Sequence, residues 1–391
     1  MNKRIAIIFE EDIYCQRGMF NAIRNRIKHL KDIADFTIDV YVISCFEPFY
    51  IRILRHTVKT KRVDSIELDG IMYRVIWRVF TLVDYLLDVK FHRSPFIVNL
   101  FFKRLVNKFH GYDLISAHSI NCGLLASRIN KSEGVPFTVT WHGSDIHTSP
   151  FTNKATYNEV KSILSSASCN FFVSKNLEDV GRTIAPAMKC EVLYNGRNSS
   201  FHQYSKELKA SLRKQFGVPL GSKIVAFVGN LAGVKNPQLL APIFSSIQKK
   251  YKKPILFWII GTGKMQKSVE EGCDREGLNY RFWGGQPADK MPDYMNCIDV
   301  LVLPSRNEGL PLVVVEAIAC GANVVGSDVG GISEVVGKDN VIPHGDGFIE
   351  CFSERVIYML NNKVEQFLKE EFEWKFTAQK ELDVYNKLLD N

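Results

Sequence analysis

In this chain of 391 residues, short apolar runs alternate with stretches of helical periodicity, and the whole alternation occurs twice. The first series opens with RIAIIF at 4–9, a helix-like segment at 19–30 and a second run at 36–44. Runs at 114–118, 137–141 and 169–174 continue it, with helical spacing at 123–130. A cluster of turn formers, NGRNSS at 195–200, and a basic helix-like stretch at 206–216 interrupt it. It then restarts with IVAFVG, a helix near 237–250, ILFWIIG, a helix at 265–276, YRFWGG, a helix at 288–297, VLVLPS, a helix at 311–320 and NVVGSD. Uniformly apolar runs of strand length separated by helices are the signature of a parallel sheet covered on both faces. The fold class is therefore α/β, with two doubly wound domains at 1–200 and 201–370, each of a size that holds its own core. Ligands are expected at the carboxyl ends of the strands, in the cleft between the halves. Trp374, Ala378, Leu382, Tyr385 and Leu389 share one helical stripe. That helix, in 371–391, either packs on its own domain or crosses back to the first, and the crossing is the expectation.

Composition narrows the function class. Apolar residues make up 46% and charged residues 24%, which argues against long disordered tracts. The apolar run before Glu10 is only five residues long, too short for a signal peptide, and no later segment holds 18 uninterrupted apolar residues. Nine scattered cysteines without a C-x2-C pair read as reduced thiols of a cytoplasmic protein. The net charge of +8 lies wholly in residues 1–200, with 27 Lys and Arg against 19 Asp and Glu. Between 51 and 110 there are 12 basic and 5 acidic residues. There Arg74, Arg78, Lys90, Arg93, Lys103, Arg104 and Lys108 interleave with Trp77, Phe80, Tyr85, Phe91, Phe96, Phe101 and Phe102. A solvated face is one explanation; an anionic membrane surface is the more specific partner. Nucleic acid is not expected, because no RNA- or DNA-reading motif accompanies the charge.

The chemistry concentrates between Leu301 and Glu334. A strand ending at Pro304-Ser305 leads to a loop with Glu308, Gly309 and Leu310, and a helix starts at or just after Pro311. Unpaired N–H groups at a helix N-terminus suit a diphosphate, and Gly309 permits close backbone approach. Glu316 stands inside the apolar run VVVEAIA, a costly place for a carboxylate unless a hydroxyl pair of a sugar or ribose meets it. Gly229 and Asn230 end the first strand of the second half, and Lys235 at the next helix entrance can meet a phosphate. In the first half, His142 within TWHGSD at 140–145 can bond a sugar oxygen, and its ordinary titration range suits proton handling. Gly18 is the candidate for close approach after the first strand.

Taken together, Glu308-x7-Glu316 within SRNEGLPLVVVEAIACGANVV, HGSD at 142–145, LYNGRN at 193–198 and the VGN…K segment at 228–235 resemble the retaining glycosyltransferases of family four. The resemblance covers nearly the whole chain and implies the GT-B architecture, two Rossmann-like domains facing a cleft. It further implies that Glu308 contacts the donor sugar, Glu316 the nucleotide ribose and Lys235 the diphosphate. His142 would lie near the sugar, and Gly309 and Leu310 would supply backbone donors. Two departures stand out: Asn230 replaces the usual Arg, and the first glycine loop is reduced to Gly18, preceded by Arg17. The implied activity moves a sugar from a UDP- or GDP-sugar to a hydroxyl acceptor with retention, needing no metal or further cofactor. A lipid-linked saccharide of bacterial surface-polysaccharide assembly is the expected acceptor, with peripheral attachment at the cytoplasmic face of the plasma membrane. A nucleotide-sugar epimerase on the same architecture and a catalytically silent binding subunit are the other readings.

Overall fold

The computed structural model describes residues 3–14, 18–55, 57, 61–86, 96–362 and 364–390. The chain forms two compact units. One comprises Met1–Val173, Leu177–Leu193 and Thr377–Asn391; the other comprises Ser174–Asn176 and Tyr194–Phe376.

The first unit is built on an eight-stranded sheet of order β3-β4-β2-β1-β5-β6-β7-β8. Its strands are β1 (Arg4–Glu10), β2 (Thr37–Phe46), β3 (Ser65–Leu68), β4 (Ile71–Val79), β5 (Leu114–His118), β6 (Phe137–Trp141), β7 (Cys169–Phe172) and β8 (Cys190–Val192). All neighbours run parallel except β3 and β4, which form an antiparallel hairpin. Every residue of β5 and β6 is buried, the polar Ser116, His118, Thr138 and Thr140 included, as expected of inner strands of a parallel sheet. Strand β4, one in from the edge strand β3, instead alternates buried and exposed positions along its first half. One core cluster runs from Ile5, Ile7 and Phe9 of β1 through Phe20, Ile23 and Ile27 of the helix Gly18–Ile33 to Val40 and Val42 of β2.

The second unit carries a fully parallel six-stranded sheet of order β11-β10-β9-β12-β13-β14. The strands are β9 (Lys223–Val228), β10 (Ile255–Ile260), β11 (Tyr280–Gly284), β12 (Val300–Leu303), β13 (Asn323–Ser327) and β14 (Val341–Ile342). The order reverses direction between β9 and β12, the switch point where the loops that follow the strands commonly hold ligands in such sheets.

The terminal helix Trp374–Leu389 leaves the second unit and returns to the first. Its Ala378, Leu382 and Tyr385 are buried members of the first unit's core. The helix is fastened by a buried set of polar groups. Arg26 pairs with Glu381, and the Tyr385 hydroxyl bonds Glu381 and lies 2.7 Å from Ser116 Oγ.

Candidate active site

In the second unit, Glu308 and Lys235 meet. The loop after β9 tightens through a short 3-10 turn, Gly233–Lys235, and the loop after β12 carries Glu308. Lys235 Nζ donates to Glu308 Oε1 at 2.6 Å, and Ser305 Oγ donates to the same oxygen at 2.6 Å. The two loops are stitched together by the Arg306 N–H on the Val234 carbonyl, 2.8 Å, and by Arg306 Nε on Asn236 Oδ1, 3.1 Å. The side chains of Lys235 and Glu308 are 20% and 9% exposed, so their pairing is partly desolvated yet reachable.

Helix Leu312–Ala319 begins directly after Pro311, whose extended backbone (φ −72°, ψ 120°) serves as its N-cap without any side-chain cap. Among the described residues, no hydrogen bond engages the N–H of Gly309 or Leu310. These donors and the helix start form an anion-attracting surface. The Leu310 side chain is buried, and its carbonyl accepts from Asn195 Nδ2 at 2.9 Å, which fixes the loop from below. From the other side the Gly309 carbonyl accepts the Gly331 N–H at 2.7 Å. Gly330 packs so closely that a Cβ there would lie 2.1 Å from the Glu308 carbonyl oxygen.

Glu316 is half-buried on this helix, among buried Val314, Val315, Ala317 and Ile318. Burial raises its carboxyl to about 7. Among the described residues its carboxylate has no hydrogen-bond partner. A desolvated acceptor of this kind is poised for a hydroxyl donor from outside the protein.

Gly229 and Asn230 sit at the end of β9, with Asn230 exposed. Sequence reasoning missed what packs against them. Gly261 would bring a Cβ to 1.9 Å from the Gly229 carbonyl oxygen, and Gly263 would bring one to 2.4 Å from that of Leu231. The signal was present in the Gly-Thr-Gly triplet that follows ILFWII at 255–260. Ser305, fully buried, was likewise passed over, as was His344, whose Nε2 lies 2.8 Å from the Ser305 carbonyl.

In the first unit, His142 follows β6 and meets His118, the last residue of β5. His118 Nδ1 and His142 Nε2 are 2.9 Å apart, and the rings stack with centroids 5.2 Å apart. The backbone N–H of His142 and of Gly143 donate to the Asp145 carboxylate at 2.7 to 3.1 Å. Burial pushes the Asp145 carboxyl up to about 6 against the pull of these N–H donors. Burial, with Arg26 nearby, lowers His142 to about 3. The expectation that His142 handles protons in its ordinary range is therefore corrected: near neutrality it is an uncharged hydrogen-bonding ring. A pocket of about 380 Å³ follows the two histidines, lined among others by Ser119, Asn121, Ser144, Thr156 and Glu159.

Gly18 is the first residue of its helix, and no described protein atom lies within 4 Å of where a Cβ would stand. Its neighbour Arg17 lies outside the described residues. The basic and aromatic stretch is not one continuous surface. Phe80 and Phe102 are buried, Arg74 pairs with Asp39, and Arg78 faces Glu10 and Asp84. Lys90, Phe91 and Arg93 lie outside the described residues, as does the Phe96 side chain. Exposed apolar side chains do occur on the short helix Phe49–Arg55, at Phe49, Tyr50, Ile53 and Leu54.

The known proteins most informative for this geometry are these. The family described as glycosyl transferases group 1 matches residues 209–381. The putative teichuronic acid biosynthesis glycosyltransferase TuaC of Bacillus subtilis (strain 168) is 29% identical over 316 residues, 79% of this chain and 77% of that protein. Sucrose-phosphate synthase from Thermosynechococcus elongatus superposes with a TM-score of 0.77 at 18% identity over 100% of both chains. Anabaena HepE in complex with UDP-glucose gives 0.65 at 19% identity over 98% of both chains. The fold is the GT-B fold of two Rossmann-like units, and within it residues 209–381 match the family described as glycosyl transferases group 1.

Proposed function

We propose that this chain is a retaining glycosyltransferase that moves a sugar from a nucleoside diphosphate sugar to a hydroxyl of a saccharide, in bacterial surface-polysaccharide synthesis. The observation that carries the reading is the Lys235–Glu308 pair beside the uncapped start of helix Leu312–Ala319. A diphosphate placed there would draw Lys235 away from Glu308 and take the N–H groups of Gly309 and Leu310. Glu308, released, would accept from a hydroxyl of the donor sugar. Glu316 would accept from the ribose hydroxyls, which answers the cost of its burial. The bond from the anomeric carbon to the diphosphate oxygen breaks while the acceptor oxygen bonds the same face of that carbon, and the acceptor proton passes to the departing diphosphate. Charge grows on the leaving group during this step, so Lys235 and the helix start act where stabilisation matters most. No metal is assigned a part. Asn230 cannot supply the charge of an arginine, which places more of the load on Lys235.

UDP is the favoured nucleotide, because HepE is bound to UDP-glucose and offers the same fold. The hydroxyl-lined pocket behind His118 and His142 is the proposed entrance for the acceptor. The acceptor is proposed to be lipid-linked, with the exposed apolar residues of helix Phe49–Arg55 and the exposed Lys103, Arg104 and Lys108 serving peripheral attachment to an anionic cytoplasmic leaflet. Among the described residues no helix is long and apolar enough to cross a membrane.

Incubating the purified protein with UDP-glucose or other UDP- and GDP-sugars, with and without saccharide acceptors, tests the reading. Release of nucleoside diphosphate with an acceptor product of unchanged anomeric configuration is expected, and Lys235→Ala should slow it about 100-fold or more. An isomerised sugar nucleotide formed without acceptor would point to the epimerase instead. Full activity in Lys235→Ala would defeat the assignment of the site.

A further inference from the structure

His118 is buried, and the mechanism above leaves it unused. It closes β5, whereas His142 stands one residue beyond β6, and the two strands pair in parallel with His118 opposite Thr140. Only that pairing brings the imidazoles together.

Between His118 Nδ1 and His142 Nε2, 2.9 Å apart, there is room for one hydrogen. Whichever nitrogen carries it, Nε2 of His142 is consumed by the contact. No other bond to the His142 ring is formed among the described residues, which leaves Nδ1 as the nitrogen able to meet a ligand. The protonation of Nδ1 is then decided by His118: a donating His118 leaves His142 with a proton on Nδ1, and an accepting one leaves it bare.

The surroundings hold this arrangement rigid. The edge of Phe9 packs on the His118 ring, with centroids 6.2 Å apart and planes at 78°. The His142 ring stacks on His118 at 23°, and the His142 backbone is separately fixed by Asp145. Directly after His118, Ser119 adopts φ +69°, a left-handed conformation uncommon in a residue with a side chain, and such strain is retained where the surroundings over-determine it. Arg26 is the cation near both rings, and its partner is Glu381. Two imidazolium rings would set two donors against each other at this contact, so at least one ring stays neutral.

We propose that His118 is a positioning residue: it locks the His142 imidazole in a single tautomer and ring plane, so that His142 presents Nδ1 to substrate. The role in transfer rests on the function proposed above; the tautomer lock rests on the contact itself.

The test uses the full chain labelled with 15N-histidine, with His142 assigned by the signals lost in His142→Gln. Wild type should show His142 as one neutral tautomer. His118→Phe keeps a stacking ring but removes both nitrogens, and should shift His142 toward a mixture of tautomers. It should also lower kcat for UDP-glucose turnover on the order of tenfold while KM for UDP-glucose stays nearly constant. His118→Asn, whose amide can donate or accept, should restore most of both. An unchanged His142 spectrum in His118→Phe, or a kcat loss that His118→Asn does not repair although its spectrum is restored, overturns the proposal. Should His118→Phe fail to fold, His118→Asn and His118→Gln supply the comparison, and a wild-type His142 already populating both tautomers is an equal refutation. Wild-type protein that turns over no nucleotide sugar would sink the transferase reading, whereas the spectra would still decide the lock.

Discussion

Glu316 shows how a single side chain can be costly to the fold and useful to the site. Burial raises its carboxyl from an ordinary 4.5 to about 7, so the folded state resists ionisation that the unfolded chain accepts. The sign follows from linkage: stability is undiminished below pH 4.5, falls as pH rises toward 7, and is level above that. The loss is bounded at about 3 kcal/mol. Glu316→Gln removes the ionisation while keeping the shape. Thermal unfolding from pH 5 to pH 8 should show wild type losing ground to the variant, with the two converging at the acid end. If the ribose reading is right, UDP titrated into Glu316→Gln at pH 8 should bind more weakly even though that protein is the more stable one. Equal melting temperatures at pH 8 would mean that the carboxylate is better solvated than its position among Val314, Val315 and Ala317 indicates.

At the scale of elements, the parallel strands were legible because burial on both faces writes itself as a short, largely apolar run without charged residues; LISAH and FTVTW mark β5 and β6 residue for residue. The hairpin β3–β4 was not read, because its residues lie in the charged stretch and its signal is a two-residue turn. Asp69 and Gly70 have φ of +51° and +71°, the backbone that a tight hairpin of this hand requires. The helix start after Pro311 was legible from Pro chemistry, and the pairing of Lys235 with Glu308 could be anticipated only as two loops leaving neighbouring strands. The meeting of His118 with His142 was not, and the packing of Gly261 on Gly229 showed only as a Gly-Thr-Gly triplet, since both depend on which strands lie side by side. The loop at Glu308 owes its shape to backbone packing of the same kind. Gly330 has φ +56° and no space for a side chain, so Gly330→Ala should push the Glu308 loop out of place. The expected result is a folded protein by circular dichroism that has lost most of its UDP affinity; retained affinity would show that the loop can yield. The Arg26–Glu381 pair joins residues 355 positions apart and was equally invisible. Both groups are almost fully buried, and Arg26 Nη2 has no hydrogen-bond partner among the described residues. Glu381→Ala, which strands a buried guanidinium, should cost about 3–5 kcal/mol in urea unfolding, and Arg26→Met combined with Glu381→Leu should cost far less.

On the scale of the whole molecule, sequence order and structural membership part company at the C-terminus. Residues that follow the entire second unit complete the core of the first, with Ala378 and Tyr385 fully buried and Leu382 nearly so. A chain ended after Phe376 would lack these three side chains, the Glu381 partner of Arg26 and the Tyr385 hydroxyl beside Ser116. Uncovering three large or close-packed apolar contacts and one buried cation removes more than a domain's usual margin of about 5–15 kcal/mol can readily absorb. The damage should therefore appear far from the cut in sequence. Hydrogen exchange of the truncated protein should show β1, β2 and the helix Gly18–Ile33 losing protection, while β9, β10 and β12 keep theirs. Binding of UDP should persist if the donor nucleotide is held by Lys235, Gly309, Leu310 and Glu316, all of which belong to the second unit. Loss of protection confined to the second unit would overturn this account of the terminal helix. Loss of UDP binding with β9, β10 and β12 still protected would instead count against the second unit as the seat of the nucleotide.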